Sequence, residues 1–170
     1  MHAIFASSSQ QVDGVPFELS KVQVEANAIA AAQAVHSMGD ILANACYWAM
    51  RLDLLRPEVA LEKLTLRCIR KCSHSSATFT HLCKPISDLF DLEERKYLNA
   101  FVNRSKHVSL VFGFLQASFD EGKGGIRLKS FDYKGCNFSE KWIDDFLDEL
   151  NIVYRSLCAI GLGLNRLYLT

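Results

Sequence analysis

Asn103, Arg104, Lys106 and His107 place an amide, a guanidinium, an ammonium and an imidazole within five residues. Guanidinium and ammonium groups hold phosphates and carboxylates, and an amide adds a directional donor. An imidazole beside a held anion can move a proton near neutral pH. A second pair, His36 and Asp40, stands four residues apart, so a helix would set both on one face. A carboxylate beside an imidazole orients it as an acid or base. The candidate catalytic residues are therefore His107, His36 and Asp40, and the candidate ligand-binding residues are Asn103, Arg104 and Lys106.

These residues need helices to hold them. Residues 1–16 read as a lead-in, ending in the turn-forming Asp13-Gly-Val-Pro16. A long helix is expected over 17–56. Its apolar stripe runs through Val24, Ala28, Ala31, Val35, Met38, Leu42, Ala45, Ala49 and Leu52. From Ala26 to Met50 its one formal charge is Asp40. A helix so poor in charge reads as central and buried on most sides. A buried carboxylate without a partner is destabilising by several kcal/mol, so Asp40 is expected to meet a cation from elsewhere. Pro57 opens a second helix, 57–84, which Pro85 ends or kinks.

A third and shorter helix is expected over 91–107, with Asp91 and Glu94 in capping-box spacing. Asn99, Asn103 and His107 then share one face at spacings of four, with Lys106 beside them. Beyond His107 the composition turns to strand formers. A β-hairpin is expected over 108–134, pairing 108–119 with 126–134 around Glu121-Gly-Lys-Gly-Gly125. The last helix, 139–168, has Ser139 as N-cap. Ile143, Phe146, Leu150, Val153, Leu157, Ile160, Leu164 and Leu167 form its inward side. The fold class is mainly α: an antiparallel up-down bundle of three long helices and one shorter one, with the hairpin inserted before the last. One domain spans 1–170, within the roughly 100–200 residues usual for a domain.

Two readings of the polar residues follow from this arrangement. In one, His36, Asp40, Asn103, Lys106 and His107 converge on a pocket with Arg104 at its edge. In the other, Asp40 pairs with Lys106 or Arg104 to lock the first helix to the third, and no chemistry follows.

Composition excludes several alternatives. Lys plus Arg and Asp plus Glu number 19 each, so a broad cationic nucleic-acid surface is not expected, although a local basic patch is compatible with that balance. Asn27, Gln33, His36, Ser37, Asp40 and Asn44 interrupt the first helix too often for a membrane span. The N-terminus shows no signal-peptide pattern. The six cysteines lie in apolar company without a Cys-x-x-Cys, as expected of reduced thiols in a cytoplasmic protein. Cys68, Cys72, His74, His81 and Cys83 follow no zinc spacing, so no metal is expected. The glycine turn lacks the spacing of a phosphate loop, and no cofactor motif is present.

Long helices in an up-down bundle, with an Arg/Lys/His cluster closing one of them, resemble the HEPN superfamily (higher eukaryote and prokaryote nucleotide-binding domains). The likeness rests on Tyr97-Leu-Asn-Ala-Phe-Val-Asn-Arg-Ser-Lys-His107 together with His36-x-x-x-Asp40. It implies RNA or a nucleotide as partner, with metal-independent ribonuclease activity in many members, simple binding in others, and dimers as the working unit. A homodimer is also expected from the first helix, whose apolar face exceeds what one neighbour covers.

Overall fold

Helix α1 (Phe17–Ala49) is the longest element. The computed structural model describes residues 17–55, 64–73 and 80–166. Alanine-rich sequence favours this helix and keeps its surface thin. Ala28, Ala32, Ala43, Cys46, Tyr47 and Met50 are buried. The buried line is rotated from the expected stripe, because Val24 and Ala45 face solvent. The helix ends at Arg51, whose φ of 52° is left-handed and stops helical propagation. The chain re-enters helix as α2 (Leu52–Leu55). The expected continuation to residue 56 is thus broken earlier, at a bend that buries both Met50 and Leu52.

The expected second helix, 57–84, is realised as two pieces among the described residues: α3 (Leu66–Ser73) and α4 (Thr80–Asp91). The rest of that expectation, residues 57–63 and 74–79, lies outside the described residues. Pro85 neither ends nor delimits α4, which runs on to Asp91. Proline supplies no amide hydrogen, but burial of Leu82, Cys83, Ile86 and Leu89 holds the helix around it. Leu92 alone separates α4 from α5 (Glu93–His107). Leu92 is the N-cap and makes no side-chain cap bond. The expected Asp91–Glu94 capping box does not form, because Asp91 is still part of α4.

The β region is smaller and more divided than one hairpin. Strands β1 (Gly113–Ser118), β2 (Lys123–Leu128) and β5 (Lys141–Trp142) form an antiparallel sheet in the order β1-β2-β5. Gly113 pairs with Leu128 and Ser118 with Lys123. A side chain at Gly113 would collide with Ile126 Cγ2 at 2.5 Å and Glu25 Oε1 at 2.7 Å. Its amide donates to Glu25 Oε1 at 2.9 Å, which ties the sheet to α1. Residues 108–112, expected as strand, are not. Strands β3 (Phe131–Tyr133) and β4 (Cys136–Phe138) make a second, separate hairpin. Its two-residue turn, Lys134-Gly135, has φ of 51° and 79°, the mirror-image geometry of tight hairpins.

Helix α6 (Ile143–Arg166) begins later than Ser139, because Lys141 and Trp142 are drawn into pairing with β2. Its inward residues Ile143, Phe146, Leu150, Val153, Leu157, Ile160 and Leu164 are buried as the spacing implies. It packs against α1, α4 and α5. An aromatic wall of Tyr97, Phe101, Phe131, Phe138 and Phe146 joins α5, the second hairpin and α6. Phe101 and Phe146 lie 4.7 Å apart, centroid to centroid. The architecture is mainly α, with a small antiparallel sheet ahead of the last helix. Among the described residues no helix is long and apolar enough to cross a membrane.

Candidate functional site: a cationic cleft

A cleft of about 520 Å³ opens between α1, α3, α5 and the turn of the second hairpin, over Val153 and Leu157 of α6. Helix α1 contributes Val35, His36, Gly39 and Asp40; their spacing of one turn puts them on a single face. The start of α3 and the residue before it contribute Arg67, Leu66 and Thr65. Helix α5 brings Arg95, Leu98, Asn99 and Asn103, and the second hairpin brings Tyr133 and Lys134. Phe90, near the end of α4, closes one wall.

The balance of charge in this cleft differs from that of the whole chain. Arg67, Arg95 and Lys134 line it, and among the described residues Asp40 is its one carboxylate. Arg70 joins them at Phe90. The guanidinium carbons of Arg95, Arg70 and Arg67 stand 3.9, 5.2 and 5.7 Å from that ring's centroid. Burial draws the Arg95 pKa down from its ordinary value, and repulsion from Arg67 adds to the effect.

His36 is half-buried, and its buried Nδ1 has no hydrogen-bond partner among the described residues. Burial lowers its pKa below the ordinary 6.5; Lys106 and Arg95 lower it further, while Asp40 opposes them. The imidazole is therefore neutral at pH 7 and free to accept a proton. Asn103 Nδ2 donates to the Asn99 carbonyl at 2.7 Å, which holds its side chain along α5.

The sequence-derived candidates divide between the cleft and its surroundings. His36, Asp40 and Asn103 all line it. Lys106 is exposed, yet near enough to act electrostatically on His36. Arg104 is occupied elsewhere: its Nη1 donates to the Asp132 carbonyl at 2.7 Å and pins the second hairpin to α5. His107 is exposed at the last residue of α5 and is not among the lining residues. The expectation that Asp40 is buried and paired with Lys106 or Arg104 is overturned, because Asp40 faces solvent. An exposed carboxylate stays hydrated and requires no cation. The expected lock between the first and third helices therefore does not form either.

Sequence reasoning missed Arg67, Arg70, Arg95, Phe90 and Lys134. Two signals were there to be used. Arg95 precedes Asn99 and Asn103 at the same spacing of four, and Arg67 and Arg70 stand one turn apart. Among the described residues no three His, Cys, Asp or Glu side chains gather as metal ligands. No family model matches this chain, and neither a curated protein nor a solved structure matches it.

Proposed function

We propose that this chain is a HEPN-like helical protein that binds RNA or a nucleotide in the cationic cleft. One observation carries the reading: on a chain with no net charge, one cleft gathers Arg67, Arg95 and Lys134 against a lone exposed carboxylate. Such a cleft concentrates phosphate, and guanidinium groups grip it in paired hydrogen bonds. Asn99 and Asn103 supply amides for the remainder of the ligand. In the cleavage form of this reading, His36 rather than His107 accepts the proton, since it lines the cleft as His107 does not and burial favours its neutral form. The cytoplasm suits such a ligand, and all six cysteines are free thiols.

The test is fluorescence polarisation with labelled single-stranded RNA in EDTA at low salt, with product gels from the same tubes. Saturable binding that weakens as salt rises, and that Arg67→Gln reduces, is the expected result. Neither binding nor cleavage at low salt would sink the proposal.

A second reading, an interaction module that pairs with itself, is favoured by the outer face of α1. Leu19, Gln23, Ala26, Ala30, Ser37, Ile41, Asn44 and Trp48 all face solvent within one narrow arc, and none is charged. Ile41 is 68% exposed and Trp48 54%. The line from Leu19 to Trp48 runs about 44 Å at 1.5 Å per residue. A second copy fits it: two uncharged faces meet without opposed like charges, and Ala26 and Ala30 allow close approach. Sedimentation equilibrium should show a dimer that Ile41→Lys splits; a wild-type monomer at high concentration ends this reading.

A further inference from the structure

We infer that the phosphate seat at the Phe90 end of the cleft, formed by the lining residues Arg67 and Arg95 with Arg70 beside them at the same ring, is built for a terminal phosphate: the monoester at the end of a nucleotide or RNA strand. This rests on the nucleotide reading above and narrows it. The three arginines come from two helices, α3 and α5, and converge on a ring supplied by a third, α4. Local sequence does not force that convergence; packing produces it. Among the described residues none of the three pairs with a carboxylate. Three like charges held against an apolar ring repel one another unless an anion lies among them.

The charge of the anion follows from that count. An internal phosphodiester carries one negative charge, whereas a terminal monoester carries close to two at neutral pH and exposes three acceptor oxygens. Each planar guanidinium can offer two parallel donors to such oxygens. The monoester therefore satisfies the seat more fully than the diester does. Partial burial of Arg95 strengthens its hydrogen bonds, since less water competes there. A volume of about 520 Å³ is in the range of small-molecule sites. It suits one nucleotide or the end of one strand, with Asn99, Asn103 and Tyr133 left to meet the sugar and base.

The experiment compares a short labelled RNA carrying a terminal phosphate with the same RNA after phosphatase treatment. Inorganic phosphate and a nucleoside monophosphate serve as competitors. The phosphorylated strand should bind at least roughly tenfold tighter, the scale of one charge-assisted hydrogen bond. Arg67→Gln, at an exposed position, should erase that preference without changing the melting temperature; Lys84→Gln, remote from the cleft, should keep it. Equal affinity for the two strands overturns the terminal-phosphate inference and leaves RNA binding standing. No binding of either strand removes both. Competition by inorganic phosphate as strong as by the nucleotide keeps the dianion seat but removes the nucleotide reading.

Discussion

Two clusters of charge flank the aromatic wall, and they are built on opposite plans. On the sheet side Lys123, Lys141 and Arg127 each have an acid. Lys123 meets Asp145 at 2.6 Å, Lys141 meets Glu149 at 2.5 Å, and Arg127 stands 3.5 Å from both Glu121 and Glu140. Arg127 also lies over the Trp142 ring, whose indole donates to Glu121. The two lysine pairs fasten the sheet to the first turns of α6, and the Arg127 pairs tie β2 to the turn before it and to the residue ahead of β5. On the cleft side Arg67, Arg70 and Arg95 gather around Phe90 and meet no acid among the described residues, where His36 also keeps a buried nitrogen without a partner. A neutralised cluster has its interactions already made and works as scaffold. An unneutralised one has capacity to spare, which is what a ligand site requires.

The contrast can be broken most severely through the wall that supports both sides. Phe101 is fully buried and touches Tyr97, Phe131 and Phe146. Phe101→Ala should lower unfolding stability by about 3–5 kcal/mol in urea melts, and ligand binding should weaken along with it.

A crossed pair of substitutions sharpens the comparison. Arg127→Met removes two ion pairs and a cation–ring interaction, and should lower stability by about 1–2 kcal/mol with RNA affinity unchanged. Arg95→Met should do the reverse: binding falls by roughly tenfold or more, while the melting temperature holds or rises as like-charge repulsion is relieved. If both variants lose stability and neither loses binding, the distinction between the clusters fails.

A smaller effect is expected from pH. The His36 pKa is lowered in the folded protein by burial and by Lys106. The unfolded chain therefore takes up the proton first as pH falls. The stability linked to His36 is complete above about 6.5, the ordinary histidine value, and drains away as pH drops through the folded value. Thermal melts from pH 7.5 to 5 should show a steeper decline for the wild type than for His36→Gln. A bound phosphodiester, whose charge does not change in this range, offsets Lys106 and Arg95 and raises the His36 pKa, so binding of the phosphatase-treated strand should tighten below about pH 6.5. The smallest change belongs to Lys123→Ala. Its ion pair with Asp145 is solvent-exposed, so melting should move little in calorimetry.

How far the sequence could be read depended on how one-sided each element is. Helix α6 was legible nearly residue by residue, because large apolar side chains occupy one face and charges the other. Helix α1 was legible as a helix but not in its orientation. Alanines cover all its sides, and which of them turn inward depends on what packs there. That ambiguity misplaced Asp40, whose expected burial rested on an absence of charge rather than a presence of large side chains. The divided β region was misread because the segment expected as one strand, 126–134, breaks after Leu128, and its second half turns back at Lys134-Gly135 into another hairpin. The pairing of Lys141 and Trp142 with β2 is a long-range event with no local mark.

The candidate site followed the same rule. His36, Asp40 and Asn103 reach one cleft because helix spacing had already aligned them within α1 and within α5. Spacing aligns Arg67 with Arg70, and Arg95 with Asn99 and Asn103, but only the packing of α3 and α5 about Phe90 brings the two sets together.

By itself the sequence determined the helical class, the inward face of α6 and the alignment of His36 with Asp40. All of these follow from periodicity, which acts over a few residues. Only the tertiary structure decided which face of α1 is covered, where Arg104 and His107 end up, and which cations meet no acid among the described residues. Those outcomes depend on distances between segments far apart in the chain, and local spacing carries no information about such distances.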